Sequence, residues 1–108
     1  MSSGYALTVR FTLRDAAAAQ PFDDLVAQTA AGIRTEPGTL VYAVHVPVDE
    51  PLVRVFYELY AGHEAFQAHE DQAHTKHFLA TRDQFLASTE VTFLNELGGL
   101  SKRPGSEG

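Results

Sequence analysis

The sequence predicts an α+β fold: a four-stranded antiparallel sheet, assembled in the order strand, helix, strand, strand, helix, strand, with both helices on one face. Three observations predict it. Tyr5, Leu7, Val9, Phe11 and Leu13 alternate with Ala6, Thr8, Arg10 and Thr12, the period-two pattern of a half-buried strand. Phe22, Leu25, Val26, Thr29 and Ile33 recur at helical spacing. From Glu36 to Phe78 the chain then runs through a turn, two strand patterns, a second turn and a helical stretch that holds four of the five histidines.

Each element has a local cause. Asp15 to Gln20 reads as a connection, and Pro21 marks the first helical turn, where its missing N–H costs nothing. Asp23 and Asp24 follow near the positive end of the helix dipole. The helix must stop before Pro37, and Pro37-Gly38 signals a turn. A second strand is expected from about Thr39 to Val46, then a loop from Pro47 to Pro51. The third strand, Leu52 to Tyr60, places Val53, Val55, Tyr57 and Leu59 on one side and Arg54, Phe56, Glu58 and Tyr60 on the other.

Gly62 ends that strand, and His63 to His69 forms a short helix with Ala65, Phe66 and His69 inward. A longer helix from about His74 to Ala87 presents Phe78, Leu79, Phe85 and Leu86. Glu90 to Leu97 returns to strand, closing a single domain over residues 1–97, and 98–108 reads as a flexible C-terminal tail. This order is the split βαβ, ferredoxin-like arrangement βαββαβ. The second and third strands are apolar on both faces, so the uncovered face should meet a second copy, sheet against sheet, as a two-fold homodimer.

At 108 residues the chain fits one core. Hydrophobic residues make up 44% and charged residues 20%, values of a folded globular domain. A net charge of −6 with no basic patch excludes a nucleic-acid partner. The absence of cysteine excludes disulfides, thiolate nucleophiles and Cys-ligated metal sites. The opening MSSGYALTVRF has no secretory pattern and no apolar run is long enough to cross a bilayer, so the expectation is a cytoplasmic protein without membrane contact.

Four motifs stand in order in the central stretch: Glu36-Pro37-Gly38-Thr39-Leu40-x-Tyr42, Tyr57-Glu58-x-Tyr60, Glu64-Ala65-Phe66-x-Ala68-His69 and His74-x-x-x-Phe78. On these residues the chain resembles the antibiotic biosynthesis monooxygenase family, small dimeric α+β barrels, over residues 5 to 97. The resemblance implies an oxygenase that needs neither cofactor nor metal and acts on a small or polycyclic phenol or quinol with molecular oxygen. The family also contains haem-degrading enzymes and isomerase-like enzymes acting on signalling molecules. The chain departs from the polyketide oxygenases of the family: Tyr60 stands where they have tryptophan, Phe66 where they have tyrosine and Phe56 where they have asparagine. Arg82 matches an arginine of their last helix. With no tryptophan, and no asparagine in the first strand, the chain lacks the haem-degrading pattern.

Oxygen insertion without a cofactor demands a substrate that can itself yield an electron, such as a phenolate. The protein must remove a proton, orient the ring and exclude water. Phe56, Tyr60, Phe66, Phe78 and Phe85 would suit a flat aromatic substrate, and would equally suit a plain core. His69 and His74 fall on motif positions and can accept a phenolic proton. His74 is therefore expected as the base, Tyr60 as an orienting group and Arg82 as the partner of an anion. His45 is expected at the surface or dimer seam, and His63 and His77 toward solvent. His74 and His77 at i, i+3, near Glu70 and Asp71, could offer two metal ligands, but there is no HExxH arrangement and no metal is expected. Arg10 and Arg54 are expected to pair with Glu58 or Glu96 across the sheet. Two further readings are a non-catalytic, aromatic-ligand-binding or stress-response dimer and an isomerase-like enzyme on a small signal.

Overall fold

The first strand, β1 (Tyr5–Leu13), lies inside the sheet and everything else is hung on it. In the computed structural model, which describes residues 4–104, β1 pairs antiparallel with β3 (Val53–Tyr60) on one side and β4 (Leu86–Asn95) on the other. β2 (Thr39–His45) pairs with the outer edge of β3, giving the order β2-β3-β1-β4. Residues 1–3, and residues 105–108 of the expected tail, lie outside the described residues. The helices α1 (Ala19–Ile33), α2 (His63–Glu70) and α3 (Ala73–Thr81) pack on one face. The fold is the ferredoxin-like α+β arrangement that the hydrophobic periodicities predict. Among the described residues no helix is long and apolar enough to cross a membrane.

Boundaries shift for identifiable reasons. Asp15 caps a 3-10 turn over Ala16–Ala18 by accepting from the Ala18 N–H at 3.0 Å, so helical structure starts before Pro21. Pro21 still falls in the first turn of α1, where a donor is dispensable. The helix expected to reach Ala87 stops at Thr81, and a 3-10 turn over Arg82–Phe85 delivers the chain directly into β4. That strand begins at Leu86, not Glu90, because its ladder with β1 runs from Leu13↔Leu86 to Tyr5↔Asn95, and Ser88 to Phe93 alternate as a strand.

The helix-facing side of the sheet carries Leu7, Val9, Phe11 and Leu13 from β1 and Phe56 and Tyr60 from β3, all buried. Phe11 is the hub of an aromatic cluster, with ring centroids 5.5 Å from Phe22, 5.1 Å from Phe56 and 6.0 Å from Phe78. These edge-to-face contacts suit the ring quadrupoles. Arg54 and Glu58 share this inner side with Phe56, and here the expected pairing is corrected. Arg54 reaches α1, donating to both carboxylate oxygens of Asp23 at 2.9 and 3.0 Å, and to the carbonyls of Pro51 and Val53. Arg10, on the opposite face, meets Glu50 at 2.6 Å. Strand periodicity put Arg54 under α1, where Asp23 is the carboxylate within reach.

Glu96 is taken by the chain ends. It accepts from the Gly4 N–H at 2.9 Å and from Arg103 Nε at 3.2 Å, tying residues beyond the 3-10 turn Gly98–Leu100 back to the sheet. The helices leave β4 uncovered: Val91 and Phe93 are 44% and 54% exposed although they point to the helix side with Val9 and Leu7. Truncating Phe22, which is fully buried among Phe11, Phe56, Phe78 and Phe85, should cost about 3–5 kcal/mol, read as a lowered midpoint of chemical denaturation for Phe22→Ala.

Candidate active site

Between the sheet and the helices lies a cavity of about 200 Å³. Its walls are Leu7, Val9 and Phe11 of β1, Tyr42 of β2, Phe56 and Glu58 of β3, Thr29 and Ile33 of α1, Phe66, His69 and Glu70 of α2, Thr75, Phe78 and Leu79 of α3, then Arg82, Val91 and Phe93. The lining is mostly apolar, and its titratable or charged members are Tyr42, Glu58, His69, Glu70 and Arg82.

His69 sits in the last turn of α2, three residues after Phe66, so both side chains face inward. Its Nδ1 lies 2.8 Å from Glu36 Oε1. Glu36 comes from the turn between α1 and β2, and its side chain is only 6% exposed. The same carboxylate accepts from Thr39 Oγ1 at 2.6 Å and from His74 Nε2. Two glycines make this convergence possible. A Cβ on Gly38 would stand 2.6 Å from that of Ala65, so the turn can lie against α2 only without one. A Cβ on Gly32 would collide with the His74 ring.

Burial opposes ionisation of Glu36, but the hydrogen bonds from Thr39, His74 and His69 outweigh it and hold the carboxyl below its ordinary range. An ionised carboxylate only accepts, so His69 Nδ1 and His74 Nε2 must each carry the proton they share with it. In the neutral ring this leaves His69 Nε2 as the basic nitrogen.

Glu58 Oε1 lies 3.9 Å from that nitrogen and accepts the Tyr60 hydroxyl at 2.5 Å. Burial pushes the Glu58 carboxyl up, against the opposing effects of the Tyr60 hydrogen bond and the His69 charge. Burial, together with the Glu58 charge, also raises the Tyr60 and Tyr42 phenols, which stay protonated. Two carboxyls therefore flank one imidazole with their proton affinities displaced in opposite directions. Among the described residues, the buried Nε of Arg82 has no hydrogen-bond partner. Its guanidinium stands 5.5 Å from the Phe11 ring centroid and 6.0 Å from that of Phe78, with exposed Asp83 no nearer than 3.8 Å.

The cavity brings together His69, Phe56, Phe66, Phe78 and Arg82 of the expected site. It does not include His74, whose ring is turned to Glu36, nor Tyr60, which is fully buried behind Glu58 with its hydroxyl on that carboxyl. Phe85 packs on Phe22 instead. His45 is exposed, with Nδ1 3.4 Å from the Val55 carbonyl; His63 is exposed beside the Tyr5 ring; His77 is exposed. Among the described residues no group of three or more His, Cys, Asp or Glu side chains is arranged to hold a metal ion. Sequence reasoning missed Glu36 and Glu58 as site groups. Both had a signal: Glu58 shares a strand face with Phe56 and Tyr60, and Glu36 opens the first motif.

Because the Glu36 carboxyl is depressed, its contribution to stability is fully present above the ordinary carboxylate range and is lost as pH falls through its folded-state pKa. Glu36→Gln should lower unfolding free energy at neutral pH by about 2–3 kcal/mol and flatten the acid limb of stability against pH. Chemical denaturation at a series of pH values measures both.

Residues 5–81 match the model of the family described as antibiotic biosynthesis monooxygenase. No curated protein matches. Solved structures with the same fold include PA3566 from Pseudomonas aeruginosa, at 21% identity and a TM-score of 0.80, covering 90% of this chain and 97% of that one. Rv0793 from Mycobacterium tuberculosis is 25% identical with a TM-score of 0.78, over 85% of this chain and 93% of that one. SO0527 from Shewanella oneidensis is 18% identical with a TM-score of 0.81, over 89% and 93%. With the match spanning β1 through α3, and the four motifs building the turn, strand and helices around the cavity, this chain belongs to the antibiotic biosynthesis monooxygenase family.

Proposed function

We propose that the protein is a monooxygenase that oxidises a small phenol or quinol with molecular oxygen, using no cofactor. The observation that carries this reading is the apolar cavity lined both by His69, whose Nδ1 is held by Glu36, and by Arg82, whose buried Nε has no hydrogen-bond partner among the described residues. His69 Nε2 removes the phenolic proton, and Arg82 stabilises the phenolate. Phe56, Phe66 and Phe78 hold the ring and keep water from the electron-rich intermediate. An apolar cavity of about 150 Å³ accommodates benzene. A cavity of about 200 Å³ therefore favours one- and two-ring substrates over larger polycycles. The phenylalanine lining is unsuited to a small polar signalling molecule, which would leave its hydroxyls unpaired.

The base in this reading is His69, not His74: His74 acts through Glu36, whose orientation it helps to hold. The working form is a homodimer. Val91 and Phe93 of the uncovered strand β4 are 44% and 54% exposed on one face, an apolar patch that a second copy would bury.

An oxygen electrode with 1-naphthol and one-ring quinols, with and without added metal, tests the activity. His69→Ala should lower kcat by about 10²–10⁴-fold, His74→Ala by less, and Arg82→Ala should chiefly raise KM. Absence of oxygen uptake by the unaltered protein on every phenol would overturn the reading. Sedimentation equilibrium should give twice the monomer mass, and Phe93→Glu should shift it toward monomer.

A further inference from the structure

On the reading of the cavity as a phenol-oxidising site, we propose that Glu58 is a second catalytic proton carrier, working in opposite phase to His69. The geometry comes first. Glu58 is 9% exposed, lines the cavity, and presents its carboxyl 3.9 Å from His69 Nε2. Tyr60 donates to Oε1 from behind, which leaves the other oxygen free of that bond and able to serve a ligand. On the far side of the ring, Glu36 fixes the imidazole by Nδ1, so Nε2 and the Glu58 carboxyl address the same space. Among the described residues no arginine or lysine pairs with Glu58: Arg54, its neighbour on the strand face, is bound to Asp23. Burial favours its protonated form.

The chemistry moves two protons from substrate to oxygen, and two carriers can divide that work. Converting a phenol with a free para position to a quinone with one O₂ releases one water. His69 Nε2 takes the O–H proton, and the phenolate donates electrons to O₂ so that a C–O bond forms at the ring carbon bearing hydrogen. The resulting peroxide anion takes the Glu58 proton. The Glu58 carboxylate then removes the remaining C–H proton, and that electron pair forms the second C=O as the O–O bond breaks. The departing hydroxide takes the proton held by His69 and leaves as water. The substrate loses two hydrogens and gains one oxygen, O₂ is reduced by four electrons, and both side chains return to their starting forms.

The test separates the two halves. Mixed with the protein without oxygen, 1-naphthol should show the absorbance of bound naphtholate, and this should persist in Glu58→Gln but vanish in His69→Gln. Oxygen uptake in Glu58→Gln should fall about 100-fold or more while KM changes little. Glu58→Asp, which still carries a proton, should recover part of the loss, and thermal melting establishes that both variants fold. Uptake by Glu58→Gln at the unaltered rate, or Glu58→Asp no faster than Glu58→Gln, overturns the role of Glu58 alone. If the unaltered protein forms no naphtholate and consumes no oxygen, the reading of the cavity falls, and the proposal with it.

Discussion

One buried carboxylate holds together the half of this molecule that contains the cavity. Glu36 accepts from Thr39 at the start of β2, from His69 at the end of α2 and from His74 at the start of α3. The turn before β2 and two consecutive helices some thirty residues on therefore meet on two oxygen atoms. A buried charge is tolerable only when its lone pairs are filled, so loosening any one donor raises the cost of keeping the others in place. The glycines at 32 and 38 belong to the same device, because each removes a Cβ that would hold a helix or a ring away from the turn. What looks in sequence like a short turn motif is thus a clamp, and the cavity exists in its present shape because the clamp sets where α2 and α3 can lie.

The sheet divides its inner face between a packed end and a working end. Toward α1, Phe11, Phe22, Phe56 and Phe78 close on each other, and Arg54 is satisfied by Asp23 and two carbonyls. Toward α2 and β4, Glu58, His69 and Arg82 border unfilled space. The contrast between the two arginines is instructive. Arg54 has its donors matched, the arrangement of a structural residue, whereas the buried Nε of Arg82 has no hydrogen-bond partner among the described residues, an arrangement that costs stability and suits a ligand's charge. Strand β4 repeats the theme on a larger scale, leaving apolar residues in solvent where a core would have covered them.

The sequence by itself determined the element order, the faces of β1 and β3, the turn at Pro37-Gly38 and the family, because these depend on local periodicity and on motifs within a few residues. It also brought His69, Phe56, Phe66, Phe78 and Arg82 forward as candidates, and the cavity gathers all five. Only the tertiary structure decided the direction in which each side chain works. His74 and His69 carry equally good motif credentials, yet one ring faces the cavity and the other turns to Glu36, a choice made by the packing of α3 against Gly32. In sequence Glu58 reads as a cross-strand partner for Arg10 or Arg54 and Glu36 as the start of a turn motif; burial and their actual partners displace their proton affinities in opposite directions. The helix boundary at Thr81 was likewise outside local reach, since the long ladder between β1 and β4 draws residues 86–89 into strand. Period and propensity act over a few residues, whereas burial, charge pairing and cavity shape depend on segments that meet only when the chain has folded.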